Sequence, residues 1–150
     1  MRVFRVTRKR YADLSGEGGR LASGRWHSRG RPIVYTAADP ALAMIEVLVH
    51  MEMDPDLLPD DYVLMAIDLP APAAALPGDA VGDLSDEMRT RAFGDNWLDS
   101  AETLALEVPS VIVPYGRNVL INPAHPDMGN VPDPEIRPLE WDRRLFKPSA

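Results

Sequence analysis

The chain has 150 residues, 45% of them hydrophobic and 26% charged, with a formal net charge of −7. That profile suits a single globular domain with one sizeable core. It contains no cysteine, which excludes disulfides, thiolate metal sites and a cysteine nucleophile. The opening MRVFRVTRKR lacks the apolar core of a signal peptide and no segment is long enough to span a bilayer, so a cytoplasmic protein away from membranes is expected.

The chain opens with MRVFRV, which reads as a strand, followed by a short helix or turn that runs into a loop carrying four glycines. RPIVYTA predicts a second strand, Ile33 to Thr36, with Pro32 at its start where a missing donor is tolerated. A helix is predicted from Pro40 to Met51, with Asp39 as N-cap and Pro40 at the first helical position. YVLMAIDL is a third strand, and the Pro-, Ala- and Gly-rich segment 70–83 is a connection. One or two short helices are expected to cover Asp86–Ala105, the second amphipathic around Trp97, Leu98, Ala101 and Leu104. VPSVIVPYGRNVLINP gives two strands separated by Tyr115-Gly116-Arg117, with the glycine available for positive φ. A proline-rich loop and a final strand within IRPLEWDRRLF complete the chain. Strands and helices mix without regular β-α-β alternation, which predicts one α+β domain over residues 1–150.

Charge is unevenly spread. Residues 1–31 hold nine Arg or Lys against Asp13 and Glu17, a net +7, whereas the remainder carries −14. An acidic body repels a polyanion, so nucleic acid is not an expected partner. The basic segment suits a small anion such as a phosphorylated metabolite, or else it pairs with the acidic remainder.

The common catalytic motifs are absent. Gly16-Glu17-Gly18-Gly19 does not continue as a dinucleotide-binding fingerprint, and Gly24 is followed by Arg25-Trp26 in place of the Lys-Ser/Thr of a phosphate loop. His27, His50 and His125 lack zinc-site spacing, so no metal site is expected. Ser110 sits in Pro-Ser-Val and not in a nucleophile elbow.

Three residues stand out against this background. Glu46 interrupts the apolar run MIEVLVH, where a carboxylate needs a cation, donors or a wet cleft, because burying it bare costs several kcal/mol. It either occupies the solvated strip of its helix or faces a cleft. Arg25 stands between Gly24 and Trp26, either stacked on the indole or placed by the glycine-rich loop to grip a diphosphate. Tyr35 closes the second strand with an aromatic face and a hydroxyl.

Taken in order, GEGGRLASGRW, GRPIVYTA, ALAMIEVLVHM, PSVIVP and NVLINPAHPD resemble the RES-domain proteins, the toxin halves of bacterial RES–Xre toxin–antitoxin pairs. The resemblance runs from about residue 2 to residue 127 and places the name-giving Arg, Glu and Ser at Arg25, Glu46 and Ser110. The family's functional tyrosine falls on Tyr35 and the asparagine of its downstream motif on Asn122. The residue after Arg-Trp, often asparagine in the family, is His27 here. The resemblance implies an ADP-ribosyltransferase-like fold, with a mixed sheet core and short helices. It also implies NAD as a consumed substrate and not a recycled cofactor, cleaved at the nicotinamide–ribose bond by hydrolysis or phosphorolysis, or used to ADP-ribosylate a host protein. It further implies an Xre-like helix-turn-helix antitoxin that blocks the site, with a homodimer possible in the complex.

The chemistry assigns tasks to these residues. Glycosidic cleavage develops positive charge on the ribose, which Glu46 would stabilise. Arg25 would anchor the diphosphate, Tyr35 would stack on nicotinamide, and Ser110 and Asn122 would orient nicotinamide or the adjoining ribose. A non-catalytic module that holds a phosphorylated ligand or an acidic partner is the further alternative.

Overall fold

The computed structural model describes residues 1–51 and 55–146. Seven strands form one sheet: β1 (Arg2–Arg8), β2 (Val34–Ala37), β3 (Tyr62–Asp68), β4 (Ala74–Ala75), β5 (Ala105–Pro109), β6 (Arg117–Ile121) and β7 (Glu135–Pro138). Their spatial order is β4-β5-β6-β2-β1-β3-β7, and every neighbouring pair is antiparallel except β4 with β5. Three α-helices accompany it: α1 (Glu17–Leu21), α2 (Pro40–Leu48) and α3 (Glu87–Ser100). The mixed sheet with short helices matches the α+β expectation.

β1 and β3 pair over their whole length, from Arg2 opposite Asp68 to Arg8 opposite Tyr62. By contrast, the register of β1 with β2 is the single pair Phe4–Ala37. This weak seam in the middle of the sheet is where the cleft described below forms. Val3, Val34, Met65, Ile67, Val119 and Ile121 build one apolar cluster. Trp26, Ile33, Trp97, Leu98, Leu106, Val108 and Leu120 build a second, to which α3 contributes. Val6, Ala37, Leu42 and Ala43 join Trp141 and Phe146 in a third, to which α2 contributes.

α2 starts as the sequence expects, and α3 is capped by a carboxylate as well. The Asp39 carboxylate accepts from the Leu42 N–H at 2.9 Å, with Pro40 in the first turn. Asp86 accepts from Met88 N–H at 3.0 Å. α2 ends at Leu48 and not Met51, and Val49, just past its end, is 52% exposed. α3 is likewise shorter than expected, ending at Ser100 and not Ala105.

Other boundaries differ for identifiable reasons. The strand expected across VPSVIVP stops at Pro109, because the Ser110 hydroxyl accepts from the N–H groups of Ile112 (3.1 Å) and Val113 (3.0 Å) and bends the chain into a turn. In that turn Tyr115, and not Gly116, takes positive φ (65°). Gly116 is needed for close approach instead: a Cβ there would lie 3.0 Å from the Val113 oxygen and 3.2 Å from Ser110 Cβ. The connection 70–83 contains the two-residue strand β4, and the last strand is confined to Glu135–Pro138 before a 3-10 turn at Arg143–Phe146. No helix among the described residues is long and apolar enough to cross a membrane.

α3 holds the loop that carries Arg25. A Cβ on Gly94 would fall 1.6 Å from the Trp26 carbonyl oxygen, so helix and loop are in direct backbone contact. Gly94→Ala is therefore expected to lower unfolding free energy by about 3 kcal/mol, at the upper end of overpacking costs. Gly18→Ala in α1, where a Cβ meets nothing within 4 Å, should be neutral or gain up to about 1 kcal/mol. Denaturant unfolding of the two variants checks both, and equal effects would contradict the packing described.

Candidate active site

A cleft of about 780 Å³ is lined by Phe4, Arg5 and Val6 of β1, Tyr35, Thr36 and Ala37 of β2, and Asn118 and Leu120 of β6. One side is Ala43, Glu46 and Val47 of α2 with Val49 and His50 just past its end, and the other is Ser23–Trp26 with Glu87 and Arg91 of α3. Its size falls within the usual range of small-molecule sites.

Glu46 faces this cleft, with Ala43 and Val47 on the same side of its helix. Spacings of three and four residues place them together. The Ser110 hydroxyl, fixed by the Ile112 and Val113 N–H groups, donates to Glu46 Oε1 at 3.4 Å. Because its lone pairs are taken by backbone donors, the hydroxyl proton is left for the carboxylate. Ser110 thus acts on Glu46 and is not itself among the residues lining the cleft.

Arg25 reaches the cleft with its side chain 30% exposed. Its guanidinium donates from Nη1 to the Leu84 carbonyl (3.3 Å) and pairs through Nη2 with Glu87 (3.4 Å). The indole of Trp26 lies instead in the core, edge-on to Phe93. α3 grips the Arg25 backbone on both sides: Thr90 Oγ1 donates to the Arg25 carbonyl (2.6 Å) and Arg91 Nε to the Gly24 carbonyl (3.1 Å). Asp95 accepts from Ser28 N–H at 2.7 Å, and Arg31 pairs with Asp99 at 3.0 Å through two nitrogens.

The Tyr35 ring lines the cleft, but its hydroxyl is committed to the loop. It accepts from Trp26 N–H at 3.0 Å and lies 2.7 Å from His27 Nδ1. His27, 2% exposed, directs Nε2 at the carbonyls of Gly19 (3.1 Å) and Ala22 (2.9 Å). Two carbonyl neighbours require Nε2 to be the donor, so in the neutral ring Nδ1 accepts and Tyr35 donates to it. The histidine thereby ties the loop carrying Arg25 to α1. Gly24 leaves room for the same hydroxyl, since a Cβ there would sit 2.6 Å from it.

The structure does not bring Asn122 to this cleft. It is 1% exposed, donates to the Leu98 carbonyl (3.0 Å) and accepts from Ala124 N–H (3.0 Å). Both ends of its amide are spent holding α3 to the turn after β6. Of the five residues singled out from the sequence, Arg25, Tyr35 and Glu46 line the cleft and Ser110 touches Glu46.

The cleft also contains Arg5, Glu87, Arg91 and Asn118, which sequence reasoning passed over. Arg5 is half-buried and donates to the carbonyls of Tyr11 (3.0 Å) and Asp13 (3.2 Å). Burial lowers its pKa, partly offset by Asp13, and among the described residues it forms no close ion pair. Its signal was the one that exposed Glu46: a charge between apolar neighbours, here Phe4 and Val6. Arg91 reads in the sequence as the solvated partner of Glu87 four residues earlier, and only the fold shows it against the loop. A second hollow of about 400 Å³ adjoins the cleft and shares Arg5, Ser23, Gly24 and Tyr35 with it. Among the described residues no cluster of three His, Asp or Glu side chains is arranged to hold a metal ion.

The RES domain family matches residues 2–142, and the chain belongs to it. Among its relatives, a protein named Toxin Res from Pseudomonas putida is 44% identical over 138 residues, covering 91% of this chain and 94% of that one. The Prs ADP-ribosylating toxin of a Sphingobium species is 38% identical over 143 residues, covering 90% and 88%. A chain of the M. tuberculosis MbcT–MbcA toxin–antitoxin complex shares the fold with a TM-score of 0.73 at 21% identity, over 97% of this chain and 86% of that one.

Burial raises the Tyr35 pKa from 10.0 to about 12, against the Trp26 N–H bond that lowers it. The fold thus favours the protonated phenol. That share of stability is complete below the ordinary tyrosine value and is lost as pH climbs through about 12. Unfolding free energy should therefore fall from pH 10 upward, and Tyr35→Phe should flatten the slope. An identical slope in the variant would contradict the burial of this hydroxyl.

Proposed function

We propose that the cleft binds NAD and cleaves its nicotinamide–ribose bond, and that the protein is the toxin of a toxin–antitoxin pair. The observation that carries this reading is Glu46: a carboxylate on an otherwise apolar helix, oriented by Ser110 and facing a cleft whose other wall holds Arg25 and Arg91. Membership of the RES-domain family and the printed names of its relatives as toxins support it.

In the proposed reaction the bond from ribose C1′ to the pyridinium nitrogen breaks and its electron pair neutralises the nicotinamide. The ribose is left with oxocarbenium character, and Glu46 stabilises that charge as it grows. Water attack at C1′ then gives ADP-ribose, nicotinamide and a proton. Phosphate as acceptor gives the phosphorylated sugar instead. Arg25, supported by Arg5 and Arg91, holds the diphosphate, so its binding energy goes into positioning. Tyr35 presents its ring to the ligand while its hydroxyl keeps the loop in place.

Transfer to a protein side chain is the second reading, favoured by the relative named as an ADP-ribosylating toxin. The cleft geometry is shared by both reactions, and the acceptor distinguishes them. An antitoxin is the proposed partner, supported by the toxin–antitoxin complex in which the structural neighbour was solved; that it is of the Xre type and covers the cleft rests on the resemblance. The cytoplasm, where NAD is available, is the proposed location.

Antitoxin-free protein incubated with NAD should release nicotinamide, with arms containing water alone, added phosphate and candidate protein acceptors. Glu46→Gln should reduce the rate by about 10²–10³-fold, the scale of losing one charge-stabilising group, with unfolding unchanged. No loss of NAD in any arm would overturn the enzymatic reading and leave a ligand-binding module. A fully active Glu46→Gln would remove Glu46 from the chemistry.

A further inference from the structure

Glu87 lies in the first turn of α3, and its carboxylate is shared between the two arginines on that wall of the cleft. Oε1 faces Arg25 Nη2 at 3.4 Å, and Oε2 faces Arg91 Nη2 at 3.3 Å. One anion that bridges two guanidiniums through two oxygens is the arrangement a phosphate group would adopt there. Both contacts are loose compared with the twofold 3.0 Å pairing of Arg31 with Asp99 further along the same helix.

The two arginines do not depend on Glu87 for their places. Arg25 is also held by the Leu84 carbonyl and Arg91 by the Gly24 carbonyl. Glu87 itself is 53% exposed and has solvent beside it into which it can turn. Nothing in the proposed chemistry uses its charge, which repels an incoming anion.

We propose that Glu87 is a displaceable internal counter-ion, a specificity-determining residue that competes with the ligand's diphosphate for Arg25 and Arg91. It rests on the reading of the cleft as a site for NAD. A ligand group with two or more negative charges and two free oxygens displaces the carboxylate, whereas a singly charged carboxylate ligand offers the arginines nothing they do not already have. Glu87 thus sets a threshold of charge for entry and lowers affinity in exchange for selectivity.

The test uses the intact protein and ADP as a non-reacting diphosphate, with binding measured by calorimetry at low salt. Glu87→Gln should tighten ADP binding by about two- to fivefold, the fold-change for removing one partly exposed opposing charge, and the gain should shrink as salt is raised. In turnover, KM for NAD should fall by a similar factor with kcat nearly unchanged. Glu87→Ala should shift ADP binding in the same direction, which separates loss of charge from any new hydrogen bond made by glutamine, and it carries the comparison if Glu87→Gln misfolds. Unchanged or weaker ADP binding in a folded variant, or no ADP binding by any form, overturns the proposal. If ADP binds more tightly to the variants yet NAD is never consumed, the counter-ion role stands and the proposed reaction fails. If NAD is consumed but ADP binding does not tighten, the reverse holds.

Discussion

The site depends on one docking event, the seating of residues 24–28 on the face of α3. Gly94 supplies the contact by having no side chain where the Trp26 carbonyl lies. Thr90, Arg91 and Asp95 supply the polar grip, each bonded to a backbone group of Gly24, Arg25 or Ser28. Without that grip Arg25 would sit on a glycine-rich loop of high conformational entropy, and a ligand would have to order it on binding. Trp26 locks the same contact from the other side by entering the core with Trp97 and Leu98.

The rest of the site extends from this clamp. Tyr35 reaches from β2 to the Trp26 N–H and to His27, and His27 reaches on to the Gly19 and Ala22 carbonyls. The chain from strand to loop to α1 is therefore continuous and fully paired, as buried polar groups must be. Glu46 comes from a separate element and is set by a separate device, the Ser110 turn. The cleft lies where β1 and β2 meet at one residue pair, so its opening is a property of the sheet and not of a loop. Cations from β1, the loop and α3 then face a carboxylate on α2 across a partly apolar space, where charge interactions act more strongly than in water.

Much of this was legible in the sequence. The cap at Asp39-Pro40, the strands at YVLMAID and around VYTA, and the α+β class followed from local patterns. Glu46 and Arg25 were conspicuous because each conflicts with its neighbours, and the cleft resolves both conflicts. What local pattern could not show was tertiary. Arg91 and Glu87 have the spacing of a solvated helix pair, and the polar face of α3 reads as surface although it carries the loop. Asn122 was singled out only through the resemblance, and its amide is used to hold α3 at Leu98. The strand expected through VIVP lost to a serine turn, and Gly116 proved to be a close-approach glycine while Tyr115 took the positive φ. The α3 and Asn122 contacts are long-range, whereas the strand through VIVP lost to a local side-chain-to-backbone turn.

The central claim, that α3 positions the cleft by holding the Arg25 loop, is tested most directly at Thr90. This residue is fully buried and bonds the Arg25 carbonyl without lining the cleft. Replacing it with valine leaves that carbonyl short of its partner, a cost of about 1–3 kcal/mol, while serine keeps the hydroxyl. The account expects Thr90→Val to lower kcat/KM for NAD by about tenfold, corresponding to about 1.4 kcal/mol, chiefly through KM. Thr90→Ser should remain close to the parent. A folded Thr90→Val that uses NAD as well as the parent would contradict it.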